Sequence, residues 1–228
     1  MPSAADAATA AVRDALRRVA DPEAAEPMAA YMRQVQPFLG VGRPARTAAL
    51  RTARADVRWP SPLPDDVRDA VALSLWDGEF REERYAALDL LTGCTPNDLP
   101  LLTRLLSGCD HWDVLDPLAT RLLGDALAAS PDLRRDHVEA WRTSEHLWTR
   151  RAAVLVQLHH GTGTDTDLLA ETIDVLAGER EFFIRKAIGW ALRQYARTDP
   201  DWVRRFVSSR GGALSSLSRR EALKHLLP

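Results

Sequence analysis

The chain has 228 residues, of which 46% are hydrophobic and 27% charged, with a formal net charge of −2. These values describe a folded globular chain and exclude disordered, collagen-like and mucin-like classes. Two cysteines, Cys94 and Cys109, build neither a disulfide scaffold nor a four-ligand zinc site, and no run approaches the ~20 apolar residues of a membrane span.

Residues 1–27 are alanine-rich with interspersed acids. They read as an amphipathic capping helix and lack the basic and apolar regions of a signal peptide. With two cysteines expected as buried thiols, this places the chain in the cytoplasm. Beyond residue 27 nearly every segment reads as helix, with apolar residues at three- and four-residue spacings such as Ala86, Leu88, Leu91 and Leu118, Leu122, Ala126. Thr95 before Pro96 and Ser130 before Pro131 mark helix starts, and Ser218 with Glu221 spells a capping box. No alternating β pattern of useful length appears. The predicted fold class is all-α.

Trp76, Trp112 and Trp148 stand 36 residues apart. Similar short helical runs recur at Arg84–Leu88, Arg151–Val154 and Lys186–Gly189. A period in the mid-thirties with small residues at helix contacts predicts a HEAT-like helical-repeat α-solenoid. It would form a single domain over residues 1–228, with HEAT-like repeats from residue 28 onward. An irregular bundle with accidental tryptophan spacing is the alternative.

Charge is unevenly distributed. Residues 28–58 carry six basic residues and one acid, residues 59–181 carry 11 basic and 23 acidic, and residues 182–228 carry ten basic and three acidic. The near-neutral average would argue against nucleic acid, whereas basic ends flanking an acidic middle suit a solenoid whose concave groove meets a polyanion. Solvated helix faces would give the same composition.

The run Cys109-Asp110-His111-Trp112-Asp113-Val114-Leu115-Asp116 is the most unusual in the chain. It admits three readings: acids favoured at a helix N-terminus, a divalent metal site, or an aromatic wall beside a carboxylate suited to a cationic, sugar-like transition state. His111 and the acids lack a second ligand cluster of recognised spacing, so no metal is expected. His159-His160-Gly161-Thr162-Gly163-Thr164 lacks the ending of a phosphate-binding loop and reads as a turn.

Several ordered segments resemble the AlkD-type DNA alkylation repair family, HEAT-like-repeat DNA glycosylases that release alkylated purines. They include Met28-Ala29-Ala30-Tyr31-Met32-Arg33, Tyr85-Ala86-Ala87-Leu88-Asp89-Leu90-Leu91, Trp112-Asp113-Val114-Leu115-Asp116, Trp148 with Arg150-Arg151-Ala152-Ala153, Phe182 to Trp190, and Leu217-Ser218-Arg219-Arg220-Glu221. The resemblance runs from about residue 28 to 226. It implies Asp116 as catalytic carboxylate, Trp112 and Trp190 as catalytic tryptophans, and Tyr31 and Arg151 lining the same DNA-facing cleft. One departure is His111, where the family often has a second aromatic residue before the catalytic tryptophan.

The activity implied is hydrolysis of the N-glycosidic bond of cationic alkylated purines, of the 3-methyladenine and 7-methylguanine type, in duplex DNA. It requires no cofactor and no tight base-specific pocket, and the two lysines, Lys186 and Lys224, leave little room for lyase chemistry. Arg33, Arg43, Arg46, Arg150, Arg151, Arg185, Lys186, Arg193, Arg219 and Arg220 are the candidate phosphate contacts. The expected partner is double-stranded DNA carrying alkylated bases, bound by a monomer without membrane association. A catalytically inactive HEAT-like DNA-binding or scaffold module is the alternative function.

Overall fold

The computed structural model describes residues 3–60 and 63–226 and is helical, with no strand among the described residues. It divides into two compact units, Met1–Thr92 and Gly93–Pro228.

The first unit contains α1 (Ala4–Arg18), α2 (Pro22–Tyr31), α3 (Arg43–Asp56), α4 (Asp65–Trp76) and α5 (Arg81–Leu90). Ser3 opens α1 through a capping box with Asp6. Ala8, Val12, Ala15 and Leu16 share one buried face of α1, which packs on α3, α4 and α5. The stretch predicted as one capping helix thus comprises α1 and the beginning of α2, and α1 is built into the core of the unit. Glu82, fully buried, accepts hydrogen bonds from the backbone N–H of Leu39 and of Val41, both at 2.9 Å. Gly40 between them has φ +79°, and a Cβ there would lie 1.9 Å from the Asp21 carbonyl oxygen. One carboxylate therefore pins a turn that only glycine fits.

The second unit contains α6 (Leu99–Ser107), α7 (Trp112–Pro117), α8 (Gly124–Ala128), α9 (Pro131–Arg142), α10 (Leu147–Leu155), α11 (Thr166–Leu176), α12 (Phe182–Tyr195), α13 (Pro200–Arg210) and α14 (Ser216–Ala222). Its core is aliphatic, built around Leu102, Leu105, Leu115, Leu118, Leu123, Leu155, Ile184 and Leu192. The periodic run from Leu118 to Ala126 is not a uniform α-helix: Leu118–Leu123 is wound as a π-helix. Pro117 immediately precedes it and has no N–H to donate one turn back, which favours a local change of winding.

The predicted period is visible in side-chain pairing. Asp116 with Arg151 and Lys186 with Glu221 are pairs 35 residues apart, while Arg135 with Glu171 and Asp174 with Arg210 are pairs 36 apart. The tryptophan interval is a poorer ruler. Trp112 and Trp148 lie in the first turns of α7 and α10, but Trp76 closes α4. The capping expectations also divide. Thr95 forms its box with Asp98, whereas Ser130 occupies a cap position without a side-chain bond. Ser218 is not a cap at all. Ser215, three residues earlier, caps α14, and the Ser218 hydroxyl donates to the Arg185 carbonyl on α12.

Candidate functional site

The chemically richest region of the second unit is assembled by α7, α10 and α12. Asp116 lies one helical turn after Trp112 on α7, so the two share a face. Arg151, on α10, grips the carboxylate with two nearly parallel bonds: Nε donates to Oδ1 at 2.8 Å and Nη2 to Oδ2 at 2.9 Å. Its remaining terminal nitrogen donates to the Phe183 carbonyl on α12, and the guanidinium stands 6.0 Å from the Phe183 ring centre. Three helices therefore meet in one ion pair. The geometry is the planar fork that arginine supplies and lysine does not.

The pair is asymmetric in exposure. The Arg151 side chain retains 6% of its accessible surface, while Asp116 retains 15%. The cation is used up inside the protein and the anion keeps a rim. Burial pushes the Asp116 carboxyl above the usual carboxylate range, and neighbouring Asp113 pushes the same way. The hydrogen bond and charge of Arg151, together with His111, draw it back without cancelling the rise.

Aromatic side chains wall the pair. Trp112 is half-buried at the start of α7, with its ring 5.7 Å from His111. Trp148 and Phe183 pack at 5.0 Å, and Phe182 beyond them is 55% exposed. On α12, Phe183, Lys186, Trp190 and Arg193 fall at three- and four-residue intervals and are all half-buried, opposite the buried face of Ile184, Ala187, Ile188 and Leu192. Trp190 thus shares a stripe with Phe183, two turns along the same helix. The adjacent Gly189 lets α14 approach closely, since a Cβ there would meet Glu221 Cβ at 2.5 Å and the Ser218 carbonyl oxygen at 3.0 Å.

Five of the ten cations named as candidate phosphate contacts are held by acids. Lys186 donates to Glu221 at 3.0 Å and Arg193 bonds the other oxygen of the same carboxylate. Arg150 pairs with Glu179 at 2.7 Å and also donates to the carbonyls of Ser144 and Glu145. Arg185 donates to the Glu179 carbonyl at 3.0 Å. Arg151 serves Asp116. In the first unit Arg46 is buried, paired with Asp89 at 2.7 Å and lying 5.0 Å from the Tyr85 ring centre. Arg219 reaches the Gly211 carbonyl at 3.4 Å. Arg33, Arg43 and Arg220 are exposed, with no side-chain ion pair among the described residues. Tyr31, also in the first unit, is 74% exposed.

Phe183, Glu179 and Glu221 were absent from the set marked in sequence. The 35-residue interval from Asp116 to Arg151, repeated from Lys186 to Glu221, is the signal that finds one of them. Phe183 acts through its carbonyl, to which no side-chain motif points. Among the described residues no group of three or more His, Cys, Asp or Glu could hold a metal ion.

The DNA alkylation repair enzyme family model matches residues 12–226, nearly the whole chain. The chain belongs to the DNA alkylation repair enzyme family. A solved structure, described as a predicted DNA alkylation repair enzyme from Enterococcus faecalis, superposes with a TM-score of 0.80 at 28% identity, covering 91% of this chain and 96% of that one. No curated protein sequence matches. The fold of this DNA alkylation repair family member is therefore the family's all-helical repeat, and membership supports a role in DNA alkylation repair with binding to DNA. No helix among the described residues is long and apolar enough to cross a membrane.

Proposed function

We propose that the protein is a monofunctional DNA glycosylase that hydrolyses the N-glycosidic bond of cationic alkylated purines, such as 3-methyladenine and 7-methylguanine, in duplex DNA. The observation that carries this reading is the Asp116–Arg151 pair, which fixes a carboxylate at a rim beside an indole while keeping its counter-cation inside.

The chemistry follows from the charge of the lesion. Alkylation at N3 of adenine or N7 of guanine leaves the base cationic, so it departs neutral and needs no proton from the protein. Positive charge then develops on the deoxyribose. Asp116 opposes that charge directly, and the faces of Trp112 and Trp190 stabilise it through their π-electrons. The same carboxylate orients the attacking water and accepts its proton. Arg151 acts as a positioning residue: two bonds fix the plane of the carboxylate before the substrate arrives. Lys186, engaged with Glu221, is not placed as a free amine for Schiff-base chemistry, in keeping with hydrolysis without strand cleavage. In this reading the lesion is sensed through backbone and sugar charge, without a tight base-flipping pocket, by a monomer on double-stranded DNA. Arg33, Arg43 and Arg220 are the first choices for phosphate contacts, because their side chains remain exposed.

The test is release of 7-methylguanine and 3-methyladenine from methylated duplex DNA by wild type and Asp116→Asn. Wild type is expected to release both bases and the variant to lose most of the rate while still binding DNA. Binding without release by wild type would favour the inactive DNA-binding or scaffold alternative, and equal release by both proteins would remove Asp116 from the mechanism.

A further inference from the structure

His111 is buried at the position that opens α7, and the mechanism above does not use it. Its ring is boxed by Trp112 at 5.7 Å, Trp148 at 5.8 Å and Phe183 at 6.0 Å between ring centres. Two of these neighbours belong to the site, since Trp112 is the indole beside Asp116 and the Phe183 carbonyl accepts from Arg151. An imidazole enclosed by aromatic rings must find its polar partner in the protein. It does so on its own helix, with Nδ1 3.2 Å from Asp113 Oδ1. An ionised carboxylate only accepts, so Nδ1 carries the proton in that bond.

Asp113 is itself well shielded, its side chain 8% exposed, and it stands three residues before Asp116 on α7. Carboxylates at that spacing are neighbours on the helix surface and oppose each other's ionisation. The titratable and charged groups bearing on Asp116 are Asp113 on α7, His111 at its N-cap and Arg151 from α10, while α12 presents the ring and carbonyl of Phe183. Asp110 lies on the turn just before His111.

We propose that His111 is a positioning residue for the Asp116 site, donating to Asp113 inside the Trp112–Trp148–Phe183 box and so engaging the carboxylate that stands three residues before Asp116 on α7. The inference rests on the reading of Asp116 as the substrate-facing carboxylate, but it is tested separately. Within the box, His111→Phe keeps a ring of similar size and removes the donor. Asp113→Asn removes the opposing charge without touching the box.

The experiment is a pH titration of the Asp116 side-chain carboxyl by ¹³C NMR in the full chain, for wild type, H111F, D113N and the double variant. H111F is expected to move the Asp116 midpoint to higher pH and D113N to lower pH, and the H111F shift should shrink in the D113N background. A midpoint unchanged by H111F, one unchanged by D113N, or an H111F shift of equal size in both backgrounds overturns the proposal. The acid limb of 7-methylguanine release should move with the NMR midpoint in kcat, with KM for DNA unchanged. Release whose acid limb ignores the shifted midpoint would overturn the link to catalysis. Shifted midpoints in a wild-type protein that releases no base would uphold the His111–Asp113 coupling while removing the glycosylase reading.

Discussion

Each unit buries a carboxylate, and the two are used differently. In the first, Glu82 is entirely enclosed and takes both its bonds from backbone N–H groups, so its charge is absorbed in shaping the turn around Gly40. In the second, Asp116 is held by a side chain that is better buried than itself, and it keeps 15% of its surface. A carboxylate satisfied by backbone on every side has nothing left to offer. One held along a single edge by a deeper cation is both oriented and available. In the function proposed above, that difference is what lets Asp116 meet a substrate while Glu82 serves only the turn.

Removing the first carboxylate should be the more damaging change to folding. Glu82→Ala leaves the N–H groups of buried Val41 and half-buried Leu39 without acceptors, and the expected loss is about 3–5 kcal/mol by urea denaturation. Base release per folded molecule should be little altered, and a large fall in that quantity would put Glu82 in the same class as Asp116. For the second carboxylate the conservative change Arg151→Lys is the informative one. It keeps the charge and loses the fork, with an expected cost of about 2 kcal/mol in transition-state stabilisation, or about thirtyfold in kcat. An unaltered rate would mean that orientation of Asp116 does not matter.

Two smaller changes address the platform that carries Trp190. Gly189→Ala forces α14 away from α12, because the new methyl meets Glu221 and the Ser218 backbone. An overpacking cost of about 1–3 kcal/mol is expected from the unfolding midpoint. Glu221 is the mildest case. Hydrogen bonding from Lys186 holds its carboxyl below the ordinary 4.5 against the opposing effect of burial, and Arg193 adds to the lowering. A depressed carboxylate contributes stability that is present above its unfolded value and is lost as pH falls through its folded value. Glu221→Gln should therefore flatten the acid loss of stability below the ordinary carboxylate range, and cost at most about 1 kcal/mol at neutral pH because the pair is partly exposed. Acid curves that coincide for the two proteins would show that the pair contributes nothing to folding.

How much of this was legible beforehand differs by kind of residue. The helical class and the mid-thirties period were readable because apolar spacing is a local property of the chain. Asp116 and Trp112 were readable together because one helical turn separates them. Arg151 was named through the family resemblance, and its pairing with Asp116 was not legible. Twenty-eight arginines look alike in sequence, and only packing shows which acid each one meets. The same blindness explains the misplaced cap at Ser218, where a local pattern offered Glu221 a partner that two cations on α12 took instead. The π-helical turn after Pro117 was hidden because apolar spacing alone does not distinguish it from an α-helix.

By itself the sequence determined that this protein is helical, repetitive and equipped with a carboxylate one turn from an indole, since those follow from neighbours along the chain. Tertiary structure alone decided which charges are satisfied. The long-range ion pairs join residues 28 to 70 positions apart, and the choice among many equivalent cations is made by burial: a charge removed from water must take the partner that packing places beside it. That selection left Arg151 inside, Asp116 at the rim, and most of the basic residues of the second unit bound to acids and carbonyls within the fold.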